Sequence, residues 1–213
     1  MPPAIPGPAY RIETDRLVIR CWNPGDAPLL KAAIEESLEH LQAWMPWALA
    51  EPTSLQDKID RLRRMRGQFD LGQDFNYGIF DQTETQVLGG TGLHLRGDPK
   101  TREIGYWIHH DYVGKGLATE TSAALCHVAF LLDKVERVEI RCDPRNHPSA
   151  AVPKKLGFIH EATLQHRDVT PEGLPRDTMI WTLLAADYDQ SLAALGKIVA
   201  YDATDRMILA SGD

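Results

Sequence analysis

The sequence predicts an α+β domain: a central mixed, mostly antiparallel sheet of about seven strands, flanked by helices. Three observations carry this. Three strand candidates follow one another between residues 75 and 109, separated only by short polar turns, which is the pattern of a meander. Beyond the next helix come a strand, a short helix and two more strands, so that half of the sheet is mixed. Two amphipathic segments ahead of the meander repeat apolar residues at helical spacing and supply a covering layer.

The elements follow in order. Leu17 to Trp22 is short, apolar and β-branched, and reads as a strand. Asn23-Pro24-Gly25-Asp26 breaks it and can cap a helix carrying Leu29, Leu30, Ala33, Ile34 and Leu38. Leu41 to Trp47 is an aromatic, Pro-broken loop. Thr53-x-x-Gln56 has the form of a capping box opening a helix with Leu55, Ile59, Leu62 and Phe69 on one face. The meander strands are Phe75 to Phe80, Gln86 to Arg96, and Thr101 to His109. A helix from about Leu117 to Leu132 follows, then a strand from Val135 to Cys142 and a short helix near Ala150 to Leu156. Two last strands, Phe158 to Arg167 and Asp177 to Leu184, flank the loop Pro171-Glu172-Gly173-Leu174-Pro175. Residues 10–187 form the expected domain. Residues 188–213 form an extension of the same unit, with a short helix and a hairpin expected at a sheet edge or a subunit contact.

The chain has 213 residues, enough for one substantial core. Its formal net charge of -7 argues against a nucleic-acid partner and suits a cationic acceptor such as an amine. Cys21, Cys126 and Cys142 include no Cys-x-x-Cys pair and read as reduced residues of a cytoplasmic protein. The Pro-rich start, Met1 to Tyr10, lacks an apolar run, so neither a signal peptide nor a membrane span is expected. No metal is expected. The oligomeric state is open between monomer and homodimer.

The chemistry concentrates at Tyr112-Val113-Gly114-Lys115-Gly116-Leu117-Ala118, between a strand and a helix. Two glycines allow unusual backbone angles and close ligand approach. Successive N–H groups at a helix start make an anion nest, which the helix dipole strengthens. The Gly spacing matches neither a Walker loop nor a dinucleotide fingerprint.

Five segments, in order, resemble the GNAT acetyltransferase superfamily, and within it the RimJ/RimL-like N-acetyltransferases. They are Glu13 to Arg20, Leu41 to Trp47, Glu103 to Ile108, Gly114 to Glu120, and Asn146-x-x-Ser149 leading to Lys155-Leu156-Gly157-Phe158. The resemblance implies a GNAT-like fold with a V-shaped opening between the fourth and fifth of the seven strands. It implies acetyl-CoA as cosubstrate, with Trp107, Ile108 and His109 beside the pantetheine arm. Val113, Gly114, Lys115, Gly116, Leu117, Ala118 and Thr119 would hold the pyrophosphate. Val113 departs from the wider signature, which often carries Gln or Arg there. Lys115 either adds charge to this site or is a solvated surface residue.

Acetyl transfer to an amine requires removal of a proton and departure of a thiolate. Glu103, close to where the superfamily carries its catalytic carboxylate, is the expected base, with His94 and His109 as rivals. Ser149 is the expected hydrogen-bond donor to the thiolate, or else a helix cap. Asn146 is assigned to pantetheine. Pro153, inside the short helix, is a departure that would break or kink it. Trp44, Met45 and Trp47 line the acceptor side or cover the core, and Glu36, Glu39 and Glu51 nearby could attract a cationic amine. The implied function is N-acetyltransfer to a protein N-terminal α-amino group or a small-molecule amine. A catalytically silent acyl-CoA-binding or partner-binding module of the same fold is the alternative.

Overall fold

The computed structural model describes residues 8–170 and 172–212. Most of the Pro-rich start, and Pro171 in the late loop, lie outside the described residues. The strands are β1 (Arg11–Glu13), β2 (Val18–Cys21), β3 (Phe75–Phe80), β4 (Val87–Arg96), β5 (Asp98–Ile108), β6 (Arg137–Cys142), β7 (Ile159–Val169), β8 (Pro175–Leu184), β9 (Ile198–Tyr201) and β10 (Met207–Ser211). The helices are α1 (Ala27–Glu36), α2 (Leu38–Gln42), α3 (Leu55–Asp70), α4 (Leu117–His127), α5 (His147–Leu156) and α6 (Ala185–Tyr188).

All ten strands join one sheet in the order β10-β9-β1-β2-β3-β4-β5-β6-β8-β7. Among the described residues, only β5 and β6 run parallel. The seven expected strands form its centre and one end. The additions are β1, which is only three residues long, and the β9–β10 hairpin, which pairs with β1 at the other end. Side chains alternate across the sheet. Val18 and Phe80 face Leu30, Ile34 and Leu62 of α1 and α3, whereas Ile19 and Ile79 share the core with Leu117 and Leu125 of α4.

Three local expectations change. The capping box of α3 is Ser54 with Asp57, not Thr53 with Gln56: Asp57 N–H donates to Ser54 Oγ at 3.1 Å, and Ser54 N–H donates to Asp57 Oδ2 at 3.1 Å. Thr53 instead donates to the buried Glu51 carboxylate. The helix expected to reach Leu132 ends its regular part at His127 and widens into a π turn over Val128–Leu132. Pro153 leaves α5 continuous from His147 to Leu156.

The parallel pairing sets up the site. Thr101–Ile104 of β5 pair with Arg137–Ile140 of β6, and there the ladder stops. β5 continues to Ile108 and β6 to Cys142, so the two strands part and leave the edge of Gly105–Ile108 open. Among the described residues, no helix is long and apolar enough to cross a membrane.

Candidate active site

Two cavities flank the parting of β5 and β6. One, of about 270 Å³, runs from the start of α4 to the start of α5. The other, of about 370 Å³, lies under the segment between α2 and α3. Trp44, Met45, Tyr106, Trp107, Asn146 and Ser149 line both, so the cavities meet at these side chains.

The first cavity carries the anion site. Gly114 and Gly116 have φ of +78° and +83°, in the left-handed region that L side chains avoid. They turn the chain so that α4 begins at Leu117 with its first-turn N–H groups unused by the helix. The turn is braced from β2's approach. Thr14 Oγ1 donates to Glu120 at 2.6 Å, Arg16 Nε donates to Glu120 at 2.7 Å, and Arg16 Nη1 donates to the Lys115 carbonyl at 3.1 Å. Trp107, Ile108, Val113, Gly114, Gly116, Leu117, Ala118, Thr119, Asn146 and Ser149 all line this cavity.

Two expected cofactor residues do not. Lys115 is exposed, its Nζ 4.6 Å from the centre of the Tyr112 ring. His109 is buried; its backbone N–H donates to the Leu88 carbonyl at 2.8 Å, and its ring Nε2 lies 2.9 Å from Glu36. His109, His110 and Asp111 bring ligand atoms within 4.8 Å of one another, among the described residues. Asp111 N–H donates to His109 Nδ1 at 3.2 Å, so both nitrogens of His109 already have partners.

Asn146, not Ser149, caps α5: its Oδ1 accepts from Ser149 N–H at 3.1 Å. The Ser149 hydroxyl is therefore free of capping and lies 3.2 Å from Tyr106 Oη. Tyr106 also donates to the Ser149 carbonyl at 3.1 Å. That carbonyl would normally accept from residue 153, which is Pro and has no N–H. The tyrosine thus supplies the bond that Pro153 removes, which is why α5 stays whole. Burial raises the Tyr106 phenol above its ordinary value.

Trp44, Met45 and Trp47 line the second cavity. Trp47 meets Trp107 edge-on, ring centres 6.3 Å apart, and the Arg61 guanidinium sits 5.1 Å from the Trp47 ring. Arg176 Nη1 donates to the Trp44 carbonyl at 3.3 Å and ties this segment to β8. Glu51 is not free to attract an amine. Burial would raise its carboxyl, but the ion pair with Lys58 outweighs this and holds it below the usual carboxylate range. Cys142 also lines this cavity, and burial pushes its thiol up to about 11. At neutral pH it is a thiol, not a nucleophilic thiolate.

Glu103 is on neither wall. Arg96 Nε and Nη2 donate to its two oxygens at 3.0 and 3.2 Å, and Arg141 Nε lies 3.3 Å from Oε2. Directly across β4 in the ladder is His94, which does line the second cavity. Its Nδ1 is 2.9 Å from Asp74, and Asn76 Nδ2 donates to the same carboxylate at 2.8 Å. Asp74, Tyr106 and the glycines of β4 escaped the sequence reading. The run Gly89-Gly90-Thr91-Gly92 was the available signal, because glycines inside a strand mark a close approach. A Cβ at Gly90 would sit 2.5 Å from Trp107 Nε1, and one at Gly92 would sit 2.3 Å from His94 Nε2.

The chain matches the acetyltransferase (GNAT) domain family over residues 16–159. The ribosomal protein uS5 alanine N-acetyltransferase of Escherichia coli (strain K12) is 26% identical over 186 residues, 85% of this chain and 94% of that protein. Mycobacterium smegmatis RimJ, solved in complex with CoA-disulfide, shares the fold with a TM-score of 0.78 at 22% identity, over 88% of this chain and 93% of that one. The microcin C7 self immunity acetyltransferase MccE, solved with acetyl-CoA and AMP, shares it with a TM-score of 0.74 at 20% identity, over 80% of this chain and 93% of that one. With a family match over most of its length and this fold, the chain belongs to the GNAT acetyltransferase family.

Proposed function

We infer that this protein is an N-acetyltransferase that moves the acetyl group of acetyl-CoA to a primary amine, with a protein N-terminal α-amino group as acceptor. The carrying observation is the meeting of the two cavities at Tyr106, Asn146 and Ser149. A thioester entering from the anion site and an amine entering from under Trp44 and Trp47 would converge there. Such convergence converts a bimolecular reaction into one between held groups. The likeness to the uS5 alanine enzyme supports a protein acceptor.

In this reading the first-turn N–H groups of α4 bind the pyrophosphate, with Val113 to Thr119 around it. The open edge of β5 at Trp107 and Ile108 pairs with the pantetheine amides as an added strand would. Ser149 Oγ donates to the sulfur as it leaves. The neutral Cys142 thiol favours direct attack in a ternary complex over an acetyl-enzyme.

Calorimetry with acetyl-CoA, followed by CoA release on peptides of differing N-terminal residue beside small amines and nucleotide conjugates, tests this. Micromolar binding and turnover on peptides are expected. Absence of binding at high micromolar acetyl-CoA overturns the reading. Turnover only on small amines moves the acceptor class, and binding without turnover identifies a silent acyl-CoA-binding module.

A further inference from the structure

We propose that His94, oriented by Asp74, is the general base that takes the proton from the acceptor amine. This rests on the acetyl-transfer reading and goes beyond it, since the resemblance to the superfamily points to Glu103 instead. Four observations carry it.

First, His94 and Glu103 share one face of the sheet, but only His94 lines a cavity. Glu103 lies on neither cavity wall and has both oxygens engaged by Arg96 and Arg141. His94 lines the acceptor cavity. Second, its tautomer is set. The Asp74 carboxylate is acceptor-only when ionised, and at 2.9 Å it requires the proton on Nδ1. Asn76 donates to Asp74 at 2.8 Å and fixes the carboxylate in turn. This is the orienting logic of a carboxylate–imidazole pair.

Third, Nε2 is left with its lone pair and, among the described residues, no hydrogen-bond partner. Fourth, the sheet is cut away to seat the ring. A Cβ at Gly92 would lie 2.3 Å from Nε2, too close for a side chain there, while the Cβ position at Gly105 lies at ordinary contact distance, 3.4 Å from it. Gly105 is two residues from Trp107 on the same strand face, a step of ~6.6 Å. Trp107 lines both cavities, so the proton would pass from the junction to Nε2 through water rather than by direct contact.

The step balances. The acceptor ammonium gives a proton to Nε2 and becomes the nucleophile. Its nitrogen bonds the thioester carbon, the carbon–sulfur bond breaks, and sulfur leaves with the electron pair. Of the two protons that nitrogen gives up, one ends on the CoA thiol and one passes through His94 to solvent. The charged groups nearest the imidazole are Asp74 before β3, Arg96 on β4 and Glu103 on β5, and Arg61, Arg141, Asp143 and Arg176 share the cavity that it lines.

The test uses the full chain, acetyl-CoA, and peptides beginning with Ala, Ser, Thr or Met, with kcat and KM followed against pH. His94→Gln is expected to lower kcat/KM by about 10²–10⁴-fold and to abolish the acidic limb, with acetyl-CoA affinity within about twofold. Asp74→Asn is expected to lower kcat by about 10²-fold with little change in KM. Long-range ¹H–¹⁵N spectra should then report the His94 proton moving from Nδ1 to Nε2, which a merely structural role would not produce. Glu103→Gln should keep the acidic limb. A wild type that turns over, with a His94→Gln profile unchanged, overturns the dyad alone. So does an Nε2–H tautomer in the wild type, or loss of the limb in Glu103→Gln. A wild type that binds acetyl-CoA but acetylates no acceptor overturns the functional reading, and the dyad with it.

Discussion

Pro153 lacks the N–H that would close a helical bond to the Ser149 carbonyl, and Tyr106 Oη donates there instead at 3.1 Å. The same phenol lies 3.2 Å from Ser149 Oγ, so one side chain repairs the helix and positions the hydroxyl. The two roles separate in a double-mutant cycle. Tyr106→Phe is expected to cost ~1 kcal/mol or somewhat more of unfolding free energy, because it leaves a partly buried carbonyl unpaired. Pro153→Ala restores the N–H, so Tyr106→Phe should cost about 1 kcal/mol less in that background, read by urea unfolding. Equal costs in both backgrounds would remove the repair account. Ser149→Ala should lower kcat by about 10–100-fold, the worth of a hydrogen bond to a charged sulfur, while acetyl-CoA affinity stays within about twofold. The sequence exposed Ser149 and flagged Pro153, because both sit within one short motif. It did not connect them to Tyr106, because that contact spans 43 residues and depends on how β5 and β6 part.

At the scale of elements, two motifs far apart in sequence prove to be one device. Glu13 to Arg20 and Gly114 to Glu120 each looked like a local signature. In the fold, Thr14 and Arg16 converge on Glu120, and Arg16 reaches the Lys115 carbonyl in the turn. The glycines give the turn its shape and this bracket holds it. Gly116→Ala places an L residue at φ +83°, which costs ~1–2 kcal/mol. It should raise the dissociation constant for acetyl-CoA by about tenfold. Arg16→Ala removes a half-exposed ion pair, and a rise of about 2–5-fold with kcat retained is expected. Calorimetry on both variants checks this; equal affinity in Gly116→Ala would show that the turn does not hold the cofactor. The turn was legible because glycines and a helix start are local facts. Its bracket was not, since nothing in Thr14 or Arg16 announces a partner more than a hundred residues on.

Over the whole molecule, the hairpin expected at a sheet edge is there, but it reaches the sheet through a strand the sequence pattern did not show, and the reason is physical. β1 is only Arg11–Glu13, too short for an alternating pattern to register, and it exists as a strand because β2 and β9 hold it on both sides. The C-terminal hairpin adds the last two strands and is joined to α4 through His127. The Nδ1 of His127 lies 2.6 Å from Tyr188 Oη and 3.1 Å from Ser211 Oγ. Burial holds this imidazole below its ordinary value. The sign of the consequence is fixed. Below pH ~6.5 the unfolded chain takes up a proton that the folded chain refuses, so stability falls as pH drops. The loss grows by at most ~1.4 kcal/mol per pH unit and levels off once the folded histidine titrates. His40, also lowered by burial and by His110, adds a slope of the same sign. The carboxylates with lowered values, Glu84 and Asp74 among them, lose their contribution only near and below pH ~4, and Asp133, raised by burial, adds a slope of the opposite sign, so a decline between pH 5 and 6.5 is carried by the histidines. Unfolding free energy measured by urea from pH 7.5 to 5 should decline in the wild type and decline less steeply in His127→Gln. That variant should start lower at pH 7.5, having lost the Tyr188 contact. A variant with the full wild-type slope would assign the acid sensitivity elsewhere and leave the hairpin joined to α4 by packing alone.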